Sequence, residues 1–334
     1  MLEVYKKIGK FDRSYLPELQ DKLFFKGVNA RRAIFNYVIL LTLATIISTY
    51  GVISGSTATV IGAMIIAPLM TPIMATTLAI VLGDSNRIFL SLGTVILSII
   101  YVIFLSILLS IWVSPIGIDF QMNPEILSRI SPDIFALFVA LASGAAGAFT
   151  ISRKDISDSL PGVAIAISLV PPLTVVGISL SKAEWSNATG SFLLFLTNFF
   201  AILVAGGALL WITGVNPGWM DEKHSNTRKK TFTIAVLCTI IIAVPLFFSG
   251  LDTLNQSIKT YEASELTNEW LSGTSYRVDE YSFINPNFSV IIYGSGDVPP
   301  INDLQKSIES LLGIPVNIEV RVIPETILTS IPDT

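Results

Sequence analysis

The feature that most constrains this chain is a long apolar run, Ser56 to Leu82, which carries two prolines near its middle. Pro68 and Pro72 lie where a membrane span of this length would reach mid-depth. Each proline removes a backbone donor and clashes with the carbonyl one turn earlier, so the carbonyls from Pro68 to Ile73 cannot all be paired within one helix. Because an unpaired peptide group is costly in hydrocarbon, the run predicts a broken helix that lines a cavity.

A second stretch, Leu160 to Ser181, has the same order of features. A shift of one hundred positions places Gly62 on Gly162 and Pro72 on Pro172 without a gap. The flanking spans continue in the same register, so an ordinary span, a proline-broken span and an ordinary span occur twice in succession. Interrupted spans in corresponding positions of two halves are typical of transporters built from repeats, with the binding site at the interruptions.

The composition indicates the class of protein. With 51% hydrophobic and 14% charged residues, the chain is too apolar for a soluble protein and is predicted to be an integral membrane protein. It carries no nucleic-acid-binding signature. Cys238 is the single cysteine and forms no disulfide within the chain, and the single histidine, His224, lies in a basic loop. Without a catalytic motif, metal-ligand spacing or phosphate loop, we expect no enzyme activity, no bound metal and no cofactor.

Apolar windows of about twenty residues predict about seven membrane spans in an all-α polytopic domain. The spans cover approximately residues 33–53, 57–82, 88–113, 134–151, 160–181, 192–213 and 232–248. Residues 33–250 therefore make up the predicted transmembrane domain, with one repeat at 33–113, a second at 134–214 and an extra span at 232–248.

The positive charges predict the orientation of these spans. Fifteen of the 21 lysines and arginines precede the first span or fall in loops on the same side of the membrane. By the positive-inside rule the N-terminus is cytoplasmic, and after seven crossings of the cell membrane the C-terminus is outside. Each repeat has three spans, an odd number, so the second half is predicted to be inverted relative to the first.

The two ends of the chain differ in character from the spans. Residues 1–32 are basic, with apolar residues at helical spacing, which predicts a cytoplasmic helix that lies on the membrane surface or packs against the protein's own loops. Residues 251–334 turn polar and predict a small α+β domain outside the membrane. Its elements are expected at about 251–271 (helix), 276–284 and 287–293 (strands), 300–312 (helix) and 315–323 (strand).

Small residues cluster in two of the predicted spans. Gly144 and Gly147 lie in the fourth span, and Gly206 and Gly207 lie in the sixth. Such small-residue stripes let helices approach closely. They predict helix contacts either within the chain or between copies in a homo-oligomer.

Two segments are similar to those of a known family. The runs Gly62–Ile73 (GAMIIAPLMTPI) and Leu160–Leu173 (LPGVAIAISLVPPL) together resemble the prokaryotic DUF 389 family of membrane proteins. The resemblance covers roughly residues 30 to 215 and implies a prokaryotic multi-span membrane protein. The family's function is unknown, so the resemblance implies no catalytic or binding residues. Some relatives have a longer N-terminal soluble domain, which this chain is expected to lack.

The chemistry of the spans points to a site at the two breaks. No span has an Asp, Glu, Lys or Arg at its centre, which disfavours a buried proton relay or a voltage sensor. Half-helix N-termini attract anions, whereas freed carbonyls and hydroxyls suit a dehydrated cation such as sodium. The candidate site for a small solute or ion comprises Gly62, Pro68, Thr71, Pro72, Gly162, Ser168, Pro171, Pro172 and Thr174. The alternative is that the prolines only kink two packed helices, whose hydroxyls bond back to their own chain.

Three carboxylates lie at the predicted cytoplasmic ends of the broken spans, Asp84, Asp155 and Asp158. They form either a vestibule for a cation or ordinary helix boundaries, where a carboxylate near a helix N-terminus is favourable. The sequence thus predicts a transport protein in the lipid bilayer that moves a small solute or ion by rocking one set of spans against another. Its alternatives are a non-transporting scaffold or sensor, whose external domain binds a ligand or partner, and a passive ion channel.

Overall fold

The structure is a computed structural model that describes residues 11, 13–25, 27, 29–113, 120, 123–130, 134–153, 169–215, 222–284, 287–313 and 315–324. The chain is mostly helical and divides into two compact units, Met1–Phe247 and Phe248–Thr334. After a 3₁₀ turn at Arg13–Tyr15, the helices are α1 (Leu16–Leu23), α2 (Ala30–Ile53), α3 (Thr57–Ile66), α4 (Met70–Leu82), α5 (Ser85–Trp112), α6 (Pro124–Ile130), α7 (Ile134–Ile151), α8 (Val170–Ser181), α9 (Trp185–Ile212) and α10 (Glu222–Trp270).

Four helices in the described part of the chain are long and apolar enough to cross a membrane, namely α2, α5, α7 and α9. The pair α3 and α4 is a fifth candidate, bent by 49° at its break. The predicted count of seven spans is therefore not confirmed. Of the predicted span 160–181, the structure describes residues 169–181, which include the short apolar helix α8. The predicted span 232–248 lies within α10, which continues past the boundary predicted at residue 251.

Two short helices occupy the interior of the bundle. Every residue of α4 from Pro72 to Leu82 is buried, and every residue of α8 from Val170 to Ser179 is buried. A helix that is apolar around its whole circumference is typical of such a position. The long helices differ, because α5 turns Phe89 outward with 75% of its surface exposed. The second half of the broken span, α4, therefore lies inside the protein, whereas α3 has exposed apolar residues such as Ile65.

Hydroxyl groups and one glycine connect the central helices to their neighbours. Ser48 on α2 lies 2.9 Å from Thr174 on α8, and Thr49 on α2 donates to Ser106 on α5 at 3.1 Å. Gly177 on α8 packs so closely on α5 that an added Cβ would lie 2.6 Å from the Cβ of Ser106. Interhelical hydroxyl bonds and small residues are the usual means by which helices associate in lipid.

The glycines of the two predicted small-residue stripes meet within the chain. An added Cβ at Gly144 on α7 would lie 2.7 Å from the Cα of Ile202 on α9. One at Gly206 would lie 3.3 Å from the carbonyl oxygen of Gly144. Of the two alternatives for these glycines, the structure favours contacts between helices of one chain.

Several element boundaries recur one hundred positions apart. Helices α4 and α8 begin at residues 70 and 170, and α5 and α9 cover 85–112 and 185–212. The turns between them also match: Gly83 has φ +73° and Ala183 has φ +60°. In each turn the next amide reaches back to the preceding helix, from Asp84 to the Ala79 carbonyl at 3.1 Å and from Glu184 to the Ser179 carbonyl at 2.9 Å.

The amphipathic helix near the N-terminus lies against the protein. Leu19 and Leu23 of α1 are buried in the same apolar cluster as residues of α4. The guanidinium of Arg87 lies over the ring of Phe24 at 5.1 Å, and the amide of Phe11 donates to the Thr213 carbonyl at 2.9 Å. These contacts favour the alternative in which the helix packs against the protein's own helices and loops.

The second unit contains a three-stranded sheet and one further complete helix. Its elements are β1 (Arg277–Ile284), β2 (Asn287–Gly294), α11 (Ile301–Leu312) and β3 (Asn317–Pro324). The strand order is β1-β2-β3, with β1 antiparallel and β3 parallel to β2. Phe288, Val290 and Ile292 point from β2 into a core with Leu304 and Ile308 of α11. The strands and this helix fall where the alternation of the sequence predicts them.

The close approach of α8 to α5 gives a test of the bundle. We expect Gly177→Ala to destabilise the protein by about 1–3 kcal/mol, because the new methyl would lie 2.7 Å from the Ile103 carbonyl oxygen. Gly93→Ala on α5 is the matched control, since nothing lies within 4 Å of its Cβ position. The measurement is the thermal midpoint of unfolding in one detergent. Equal midpoints for the two variants would contradict this contact.

Candidate functional site

The break in the first apolar run lies at residues 67–69. Helix α3 ends at Ile66, and Ala67 is extended with φ −63° and ψ 123°. The amide of Ala67 still donates to the Ala63 carbonyl at 3.0 Å, but Pro68 has no amide hydrogen to continue the ladder. The chain resumes as α4, which begins at Met70.

The break is shorter than the sequence predicts. Unpaired carbonyls are expected from Pro68 to Ile73, but Pro72 is the third residue of α4. The first amides of a helix have no intrahelical acceptor, so a proline there loses no hydrogen bond and its fixed φ suits the helix. Pro68 interrupts the span, and Pro72 belongs to the start of its second half.

The second pair of prolines has a similar position. Pro171 and Pro172 are the second and third residues of α8, so they too lie where missing amides are tolerated. Both described proline pairs thus precede or open a short buried helix. The predicted site residues Gly162 and Ser168 lie outside the described residues, as do the predicted vestibule residues Asp155 and Asp158.

The hydroxyls at the two helix starts bond to carbonyls of the first turns. Thr174 donates to the Pro171 carbonyl at 2.8 Å, and Ser191 on α9 donates to the Pro172 carbonyl at 2.9 Å. On α4, Thr76 donates to the Pro72 carbonyl at 2.9 Å. Of the hydroxyls in the predicted site, that of Thr174 therefore has a protein partner in this conformation.

The starts of α4 and α8 share one apolar core. Leu69 and Ile73 from the first helix belong to the same buried cluster as Leu169 and Leu173 from the second. Thr71 and Pro68 are half-buried beside this core. Gly62 is also half-buried, and nothing lies within 4 Å of its Cβ position, so no close contact requires glycine there.

Asp84 has the role of a helix-boundary carboxylate. It is the N-cap of α5, where its Oδ1 accepts from the Arg87 amide at 3.1 Å. Its Oδ2 lies 3.0 Å from the Arg87 Nε in an ion pair. These contacts favour the second of the two interpretations offered for this carboxylate.

A buried ion pair on α6 was missed by sequence analysis. Glu125 and Arg129 are only 4% and 9% exposed, and the Arg129 Nη1 lies 2.9 Å from the Glu125 Oε2. Although these two atoms are close, the Glu125 Oε2 has no hydrogen-bond partner. The Arg129 Nε is buried and has no hydrogen-bond partner either. Burial lowers the pKa of the Arg129 guanidinium, an effect that the nearby carboxylate opposes.

The ion pair is attached to the start of the broken span. Thr57, the first residue of α3, donates its hydroxyl to the Glu125 Oε1 at 2.5 Å. Asn123 accepts from the Glu125 amide at 2.9 Å and donates to the Val52 carbonyl at the end of α2 at 2.7 Å. The Asn-Pro-Glu sequence at 123–125 is a helix-start signal that could have located α6.

Helix α6 also contacts the rest of the bundle. Ile126 is fully buried in a cluster with Val60 of α3 and Val175 of α8. Gly190 on α9 lies directly against the carbonyl of Ile130, where no larger residue would fit. Helix α6 therefore covers the end of the bundle at which α3 begins. Among the described residues, no group of three or more His, Cys, Asp or Glu side chains is placed to hold a metal ion.

Comparison with known proteins identifies the central part of the chain. Residues 64–204 match the family described as a domain of unknown function, DUF389. These residues are a DUF389 domain. An uncharacterized protein of Methanocaldococcus jannaschii is 33% identical over 207 residues, which cover 62% of this chain and 63% of that protein. The chain thus matches less than two thirds of the length of this relative, and no solved structure matches it.

The match confirms the resemblance inferred from the two proline-containing runs. The DUF389 domain includes the break at 67–69, the helices α4 to α8 and most of α9. It also includes the buried pair Glu125 and Arg129. Thr57, which bonds to this pair, precedes the matched residues.

The buried pair in the DUF389 domain gives a test of its role. We expect Glu125→Ala to destabilise the protein by about 3–5 kcal/mol, because it leaves the Arg129 guanidinium buried without a carboxylate. The measurement is the free energy of unfolding in detergent. Glu319→Ala is the control, since its pair with Arg321 is exposed and should change stability little. Similar losses in both variants would contradict the buried position of Glu125.

Proposed function

We propose that this protein moves a small solute or ion across the cell membrane through a site between the starts of α4 and α8. The observation that carries the proposal is the broken span α3–α4, which is bent by 49° and continues into a helix buried on all sides. Irregular backbone at membrane depth is tolerated only inside protein or beside a water-filled cavity. A span of this kind at the centre of a bundle is the usual form of a transporter site.

We further propose that the two halves are inverted repeats. The coincidence of α4 with α8 and of α5 with α9 after a shift of one hundred supports this, as does the matching turn at 83 and 183. The packing is reciprocal as well: Gly177 on α8 meets Ser106 on α5, and Gly206 on α9 meets Thr77 on α4. The shift of one hundred positions exchanges these two contacts, as expected if a two-fold axis relates the halves.

The proposed site offers two kinds of polar group. The N-termini of α4 and α8 carry partial positive charge, which favours an anion or the anionic part of a solute. The C-terminal end of α3 and the threonine hydroxyls offer oxygen atoms, which favour a cation. In the present conformation these hydroxyls bond to protein carbonyls, so solute entry would exchange those bonds for bonds to the solute.

Helix α6 supplies the proposed closure on one side. By the distribution of lysine and arginine this side is the outer one, with the N-terminus inside and the second unit outside. Opening would separate the Glu125 carboxylate from Thr57 at the start of α3. The broken span would then become accessible from the end that α6 covers.

Flux measurements test the proposal. The full chain in liposomes should take up at least one member of a panel of monovalent anions, monovalent cations and small neutral solutes. We expect Pro68→Ala to reduce the initial rate at least about tenfold, because alanine favours a continuous helix by about 3 kcal/mol. Gly93→Ala on α5 is the control, since its Cβ position is open.

The outcomes separate the proposal from its alternatives. Saturable uptake that is lost with Pro68→Ala supports a carrier. Flux that rises linearly with concentration would replace the carrier with a passive channel. Absence of flux for the whole panel, together with ligand binding by the full chain that Phe288→Ala in the second unit abolishes, would favour a sensor.

A further inference from the structure

An apolar groove lies in the first unit at the end of the bundle opposite α6. It has a volume of about 490 Å³ and is bordered by α4, α9 and the first turns of α10. Gly207 and Ala208 form its floor, and the ring of Phe232 from α10 lies against Gly207. The groove belongs neither to the break nor to the ion pair on α6.

The sides of the groove indicate that it opens toward the membrane interface. Trp211 at its edge is 59% exposed, and Ile212 beside it is the last residue of α9. Tryptophan at a helix end is typical of the membrane–water interface. Helix α10 starts at Glu222, so the groove lies beside the end of α9 and near the start of α10.

Among the described residues that line the groove, Lys229 is the one that carries a charge. Its side chain is exposed and belongs to none of the ion pairs formed by the described side chains. Lys230 is exposed as well but does not line the groove. An apolar groove with an ammonium at its edge is complementary to a lipid with an anionic headgroup.

We infer that this groove binds one acyl chain of an anionic glycerophospholipid, with the lipid phosphate against the Lys229 ammonium. A methylene group occupies about as much space as a water molecule, roughly 30 Å³, so the groove has room for one acyl chain. Its apolar walls give a free inorganic anion nothing to bind apart from Lys229. The inference stands independently of transport, because it uses neither the break nor α6.

Native mass spectrometry of the full chain in detergent tests the inference. The probes are phosphatidylglycerol and phosphatidylcholine with identical acyl chains. We expect phosphatidylglycerol to bind more tightly, and Lys229→Gln to weaken its binding roughly fivefold. Ala208→Phe should abolish binding of this lipid by filling the groove. Lys230→Gln is the matched control, because it removes the same charge beside the groove and should change the affinity little.

Several results would overturn the inference. Equal losses for Lys229→Gln and Lys230→Gln would show only attraction to a basic surface. Equal affinities for phosphatidylglycerol and phosphatidylcholine would show that Lys229 does not select an anionic headgroup. Unchanged binding in Ala208→Phe, with the thermal midpoint of the wild type, would place the lipid elsewhere. A dimer that Ala208→Phe dissociates and that binds no lipid would show that a second copy fills the groove.

Discussion

Hydrocarbon offers no hydrogen-bond partner to a peptide group, and the arrangement of this bundle depends on that constraint. The chain breaks its first apolar run at residues 67–69 and continues as α4, a helix enclosed by its neighbours. The second buried helix, α8, likewise begins beside a proline pair. Ordinary helices such as α5 carry the exposed apolar side chains instead. The second half of the broken span thus lies inside, against other helices.

In lipid, the hydrophobic effect does not drive helices together, so helix association depends on close packing and interhelical hydrogen bonds. The enclosure of two short helices therefore requires close contacts. Gly177 allows α8 to reach the backbone of α5, and Gly190 allows α9 to reach the carbonyl of Ile130. Hydroxyl pairs such as Ser48 with Thr174 add directional bonds between helices. These glycines and hydroxyls lie on several helices. The burial of the two short helices therefore depends on the packing of the whole bundle.

Local chemistry made part of this structure predictable. The proline pairs marked an interruption, and alternating residues located the strands of the second unit to within two residues. The break is shorter than the predicted stretch from Pro68 to Ile73, since a proline is also a favourable helix start and Pro72 takes that role. The predicted seven spans are not confirmed, because the described residues contain four candidate spans and one bent pair, and only residues 169–181 of the predicted fifth span are described.

The ion pair on α6 could not be predicted, because Glu125 and Arg129 become buried only through contacts with α3, α8 and α9. In sequence they look like solvated loop charges. A buried ion pair rarely stabilises a protein more than apolar residues of similar size would. If α6 closes the site as proposed, this small net stabilisation would make opening easier. Both charges would regain water when α6 moved away, whereas an apolar cover would expose apolar surface to water. The pair would then bring the closed and open states closer in free energy than apolar residues could.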